Sequence, residues 1–248
     1  MQMAVEIKMP GGEMAKRPLN FFWVVDCSGS MSVERKMEQL NYAIQSTIPD
    51  MRQAAADNTN AQLLIQALQF NSGAQWMTTT PVKIEDYTWE DLSASGGTSL
   101  GKAFDLLCGQ LTIPPMSDRA LPPVIVLLSD GQPTDSYKEP LNRLLNLPWG
   151  KKSVRIAIAI GKDANRKVLE EFTGNPELVL DANNPQQLVA MIKWASTVAK
   201  QVSQPASRRK ETDANGDSVI ASAEGSTAIQ TPVTIDLTIP EDLGPDIW

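Results

Sequence analysis

Five short stretches of this chain are almost wholly apolar, and they limit the fold more than anything else in the sequence. They are Phe21–Val25, Leu63–Phe70, Val124–Leu128, Val154–Ile160 and Leu178–Leu180. A strand with one wet face alternates apolar and polar residues, whereas a continuous apolar run suits a strand covered on both faces, as in a parallel sheet. Between the runs the period changes. Val33, Met37, Leu40, Ile44, Ile48 and Met51 fall three or four apart, as do Leu100, Ala103, Phe104, Leu107 and Leu111, and later Leu188, Met191, Ile192, Ala195, Val198 and Val202. That spacing puts one apolar stripe on each of three helices. Shorter helices are expected over 140–147 and 164–172. Strand alternating with helix implies right-handed crossovers, and hence an α/β fold: a Rossmann-like, doubly wound, mainly parallel sheet with helices on both faces. The alternative to a wholly parallel reading there is that the segment 63–74 and the following "TPVKI", joined by only a short link, form an antiparallel excursion at one edge.

The periodic pattern stops after Val202, which divides the chain. Residues 1–18 form a lead, 19–203 one domain, 204–230 a flexible linker without periodicity, and 231–248 a tail. In the tail Val233, Ile235, Leu237 and Ile239 alternate until Pro240. This pattern suits a strand added to a sheet edge, in cis or on a partner, anchored by Ile235, Leu237 and Trp248.

Composition removes several functions. The net charge is −7, and residues 204–248 hold eight acids against Arg208, Arg209 and Lys210, so the domain itself is nearly neutral. A basic field for nucleic acid is not expected. The lead "MQMAVEIKMPGGEMAKRP" lacks the apolar centre of a secretory signal and no run approaches a membrane span, so a cytoplasmic protein without membrane contact is expected. Cys27 and Cys108 are too few for a disulfide framework and read as inert, packed thiols. Histidine is absent, which removes the usual general base, the usual zinc ligand and any Ser/His triad. Trp23 and Trp76 could be paired as a ligand platform, but Trp23 lies inside an apolar run and reads as core.

The chemistry gathers in three loops. "FFWVVDCSGSM" ends a buried strand with Asp26, Ser28 and Ser30 at alternate positions. "SASGGTSLGKAF" has Gly96 and Gly97 for a tight turn, then Thr98 and Ser99 where a helix begins. "VIVLLSDGQPTD" ends another buried strand at Ser129 and Asp130 before Gly131 turns the chain. Taken singly, each has a plain structural use. Ser30, Ser32, Thr98 or Ser99 can cap a helix, Asp130 can form a turn, and Asp135 can cap the helix that starts within "SYKEPL". Taken together at the carboxyl ends of parallel strands, they are an all-oxygen set for a hard divalent ion.

"DCSGSM", "GGTSL" and "LLSDGQPTD", in this order and on these elements, resemble the metal-ion-dependent adhesion site of von Willebrand factor A domains, over about Leu19 to Val202. The resemblance implies that Ser28, Ser30 and Thr98 bind the ion directly, and that Asp26 and Asp130 do so directly or through water. It implies magnesium, with manganese or calcium as alternatives, and a partner protein whose Asp or Glu completes the shell. "SDGQPTD" and the short lead are similar to bacterial TerY-like proteins, a group associated with tellurite resistance and with a protein kinase and phosphatase.

The function expected is thus a non-enzymatic, metal-dependent adaptor in a stress-response or phosphosignalling complex. Two alternatives stand beside it. A metal-dependent phosphohydrolase would use Asp26 as nucleophile and Asp130 as ligand, with Asp135, Lys102 and Lys138 as its only nearby helpers. A regulatory subunit of an ATPase-driven chelatase or remodelling complex would need its ATPase on another chain, since no Walker-type loop is present.

Overall fold

The computed structural model describes residues 16–130 and 132–203, together with the backbone of 211–212 and 218–219. The elements follow the expected alternation: β1 (Arg17–Asp26), α1 (Lys36–Ala56), β2 (Ala61–Phe70), β3 (Ala74–Trp76), β4 (Val82–Lys83), α2 (Leu100–Gln110), β5 (Val124–Ser129), α3 (Lys138–Asn146), α4 (Pro148–Lys152), β6 (Val154–Ile160), α5 (Arg166–Thr173), β7 (Val179–Ala182) and α6 (Pro185–Ser203). The central sheet runs β3-β2-β1-β5-β6-β7, with β4 also paired to β2. β2, β1, β5, β6 and β7 are mutually parallel, and β3 and β4 run antiparallel against β2, so the alternative reading of that edge is the one observed.

Successive residues of a strand point to opposite faces, and β1 feeds two separate cores in that way. Phe21, Trp23 and Val25 pack with Leu40, Ile44, Ile192 and Val198 of α1 and α6. Phe22 and Val24 pack with Phe104, Leu107, Leu144 and Phe172 of α2, α3 and α5. Covering both faces explains why the strands read as unbroken apolar runs. It also separates the two tryptophans. Trp23 is fully buried edge-on to Phe21 (centroids 4.7 Å), while Trp76 leans on Phe22 on the opposite face at 5.9 Å, so they make no common platform.

Three local expectations change. Val33 is not on the first helix: its backbone is extended (φ −69°, ψ 139°), and its side chain is exposed. Glu34 and Arg35 then take left-handed dihedrals (φ 53° and 59°), and α1 begins only at Lys36. Leu178 closes a 3-10 turn, Pro176–Leu178, that precedes β7. The expected linker contains a short antiparallel pair, β8 (Glu211–Thr212) with β9 (Ser218–Val219). The turn at Gly131 and the tail 231–248 lie outside the described residues. No helix among the described residues is long and apolar enough to cross a membrane.

Candidate metal centre

β1 and β5 are neighbours, and the chain leaves them in opposite directions, towards β2 on one side and β6 on the other. Such a switch point opens a crevice at the carboxyl ends of the strands. Asp26 ends β1 and Ser129 ends β5, with Val25 and Leu128 in register just below them. The first and third loops are therefore delivered to the same crevice by strand pairing alone.

Asp26 is fully buried. Its Oδ1 accepts the Ser28 backbone N–H (2.8 Å), and its Oδ2 accepts the Ser129 hydroxyl (2.6 Å). The Ser28 and Ser30 hydroxyls lie 3.0 Å apart, and Ser30 donates to Asp130 Oδ1 at 2.7 Å. Four of the five expected ligands thus form one connected oxygen set. The second loop is tied to the first through backbone: Gly29 N–H donates to Gly96 O (3.0 Å), and Ser95 N–H to Cys27 O (2.7 Å). Gly96 has φ +78°, and a Cβ there would meet Ser72 Oγ at 2.5 Å, so this approach requires glycine. Thr98, buried at the start of α2, is held by both its backbone groups to Thr134, N–H to Oγ1 at 3.0 Å and carbonyl from N–H at 2.9 Å.

The simpler readings of the hydroxyls do not hold. Neither Arg35 before α1 nor Ser99 before α2 caps its helix with a side chain, and Ser32 instead donates to Gly29 O. Asp135 caps a different helix from the one expected. Its Oδ1 accepts Gly101 N–H (2.9 Å) and its Oδ2 Lys102 N–H (3.1 Å), so the third loop caps α2 of the second. Lys102 Nζ donates to Ser72 O, and Lys138 is exposed at the start of α3.

A cation absent from the expected set reaches the crevice. Lys36 Nζ donates to Asp130 Oδ2 at 2.9 Å, and the two side chains are only 8% and 0% exposed. No other ion pair among the described residues has both partners buried. The two left-handed residues bring this about: the reversal at Glu34 and Arg35 leaves Arg35 on the surface against Glu38 and turns Lys36 inward. Positive φ in non-glycine residues costs about 1–2 kcal/mol each and survives where surrounding structure over-determines it. A lone lysine at a helix start carries no sequence signal of burial, so Lys36 was not legible.

The electrostatics of the crevice favour a cation. Burial pushes the Asp26 carboxyl above the usual range; hydrogen bonds from Ser129 and Ser28 oppose that rise, and the Asp130 charge adds to it. Removing an anion from water beside another anion is unfavourable unless positive charge is supplied. The Lys36 ammonium already answers that field at Asp130. No three His, Cys, Asp or Glu side chains gather into a metal-holding group among the described residues; the donors here are two carboxylates among neutral hydroxyls, a set that suits a hard, oxygen-seeking ion better than a soft one. The residues fit a divalent metal. Cys27 packs behind the first loop as an inert thiol, pushed up to about 12 by burial and by the Asp26 charge.

A doubly wound α/β domain with an oxygen-lined, cation-seeking crevice at its switch point defines the class of protein. Within it, the chain belongs to the von Willebrand factor type A domain family, which it matches over residues 21–194. Domains of this family are often metal-dependent protein-interaction or adhesion modules. Similar solved structures include a von Willebrand factor type A protein from Catenulispora acidiphila (TM-score 0.57, 14% identity, 75% of this chain and 43% of that one). The pilus adhesin SpaC from Lactobacillus rhamnosus GG is also similar (0.61, 14%, 77% and 32%). So is proximal thread matrix protein 1 from the mussel byssus, with zinc in its metal-ion-dependent adhesion site (0.57, 16%, 76% and 50%). At these identities the likeness is one of fold, and this chain spans half or less of the length of each. No curated relative matches the chain.

Proposed function

We propose that this chain is a divalent-metal-dependent protein-binding module and not an enzyme, with Asp26, Ser28, Ser30, Thr98 and Asp130 as the metal-binding set. The observation that carries the reading is the connected oxygen array from Asp26 through Ser28 and Ser30 to Asp130 at the switch point. Magnesium is the proposed ion, with manganese or calcium as alternatives, since hydroxyl and carboxylate donors suit hard cations. When bound, the ion supplies Lewis acidity toward one further anionic oxygen. The chain's own residues do the rest: Ser129 and the Ser28 amide orient Asp26, Ser30 orients Asp130, and Thr134 fixes the loop that carries Thr98. Two carboxylates and Lys36 together cancel only one charge of a dication, so the loaded centre stays positive and favours a partner's Asp or Glu.

Catalysis is less well supported, because Asp135 is committed to capping and Lys102 to Ser72. The finer reading is a cytoplasmic adaptor, similar to the TerY-like group, serving a stress-response complex that contains a protein kinase and phosphatase. The tail 231–248 would dock on a sheet edge in cis or on a partner.

Calorimetric titration with magnesium and manganese tests the centre. Binding by the native chain and its loss in Asp26→Ala/Ser28→Ala, with the fold retained by circular dichroism, is expected; equal affinity in both overturns the site. Affinity capture from the native cell with and without chelator, repeated on a chain lacking 231–248, tests the adaptor and the tail. Recovery of the same proteins under all conditions overturns both.

A further inference from the structure

The centre contains one more charged group than metal binding needs, and that group has been placed there at a cost. Lys36 is the first residue of α1, turned inward by two consecutive left-handed residues, and its ammonium rests on Asp130 Oδ2 while Ser30 holds Oδ1. Asp130 therefore presents one oxygen to the hydroxyls of the centre and the other to an internal cation. We propose that Lys36 is the resident counter-ion of the centre: it balances Asp130 when no metal is bound, and its positive charge lowers the affinity for the ion that is bound.

The physical reason is a matter of like charges. Two carboxylates, Asp26 and Asp130, are buried 2% exposed or less at the same strand ends. Without a cation their mutual repulsion and desolvation oppose folding of that edge. Lys36, held on Asp130 Oδ2 by the fold itself, offsets half of this charge, so the loops would keep their arrangement without metal. Residues holding a divalent ion there would include Asp130, whose Oδ2 already carries the Lys36 ammonium, so ion and ammonium would repel across one carboxylate. Low-dielectric surroundings make that repulsion strong, and affinity falls accordingly. The same charge makes the loaded centre more attractive to an anionic ligand than two carboxylates alone would leave it. The inference rests on the metal-binding reading above, and it concerns a residue outside the proposed ligand set.

The test compares the native full chain with Lys36→Gln, Lys36→Met and Lys36→Arg, all stripped with chelator and titrated with magnesium and with manganese by calorimetry. Gln removes the charge but can still donate to Asp130 Oδ2, so packing and hydrogen bonding are largely kept. Lys36→Gln should bind about tenfold more tightly or better, and Lys36→Arg, which keeps the charge, should stay within about threefold of the native chain. A second readout is the melting temperature in chelator. It should fall in Lys36→Gln and further in Lys36→Met, and magnesium should raise it more in these variants than in the native chain. A Gln variant that folds only in magnesium supports the proposal. Unchanged or weaker affinity in Lys36→Gln overturns it, as does tightening by Lys36→Arg or failure of Lys36→Gln to fold in either condition. Metal binding by Lys36→Gln alone would overturn the metal reading for the native chain, and this inference with it. Absence of binding in every chain overturns this inference and the metal reading together, whereas native binding unaltered in Lys36→Gln overturns only the role of Lys36.

Discussion

Replacing Asp135 with alanine separates the architecture of the centre from its ligands. Asp135 is not in the oxygen set, yet its carboxylate takes two backbone N–H groups at the start of α2, at 2.9 and 3.1 Å. Those N–H groups have no carbonyl partner within the helix, and Ser99 gives no side-chain cap in their place. Losing an N-terminal cap costs about 0.5–2 kcal/mol, and a half-exposed acceptor of two bonds belongs in the upper part of that range, about 1–2 kcal/mol. For a domain of this size each kcal/mol moves the midpoint about 2–4 °C, so the expected drop is about 2–8 °C. Asn should recover part of it, keeping one acceptor oxygen without the charge. Gly101 shows how tightly the two loops meet there: an added Cβ would lie 2.7 Å from Ser136 O. Because the same loop holds Thr98 through Thr134, magnesium affinity should fall with stability although no proposed ligand has changed. Thermal and urea unfolding with parallel calorimetry is the assay. A stability loss below about 0.5 kcal/mol would refute the capping argument, and a full loss with unaltered metal affinity would refute the coupling between loops.

Thr98→Ala and chelation should each weaken capture of the same partner, and the two losses should not add, since both act at one centre; additive losses would place the partner elsewhere. Glu34→Gly should be neutral or stabilise by up to about 1 kcal/mol, because glycine takes φ 53° without strain, whereas Glu34→Val should cost about 1–2 kcal/mol. Denaturation midpoints decide this, and equal values for the two variants would remove the strain argument. The Cys27 thiol, pushed up to about 12, stays neutral below that pH in the folded chain, and burial also blocks its access. Alkylation at pH 8 should therefore label Cys27 only after unfolding, as read by mass spectrometry of native and denatured samples; rapid native labelling would contradict its packing behind the first loop.

The sheet was legible because covering both faces leaves a continuous apolar signature, and the boundaries failed where polar residues serve the fold. β1 extends back to Arg17, beyond the apolar run, because Asn20 is buried and the Arg17 guanidinium binds the carbonyls of Arg119 and Ala120 at 2.9 and 3.0 Å. Gln66 sits buried in β2 with its amide donating to Thr78 O. α4 has five residues, too few for any period to register, although Trp149 within it is buried. Asp26, Ser28, Ser30 and Asp130 were visible because they interrupt apolar strands abruptly. The roles of Thr134, Asp135 and Lys36 arise from contacts between separate loops and from backbone dihedrals, neither of which leaves a local pattern.

The departures from ordinary packing rules are concentrated at one end of the sheet. Two neighbouring buried carboxylates, a buried ammonium and two left-handed non-glycine residues all lie between the ends of β1 and β5 and the start of α1. Elsewhere the parallel strands are mostly apolar on both faces, with the neutral side chains of Asn20 and Gln66 as buried polar exceptions. Any one departure could be an accident of packing. Their convergence is harder to explain by stability, because each costs free energy and they share a crevice in which a single divalent ion would relieve the carboxylate repulsion at once. The two-sided core supplies the stability that lets the crevice hold this arrangement, and under the proposed metal-dependent reading a partner's anionic oxygen would meet an ion that the two carboxylates and Lys36 leave under-neutralised.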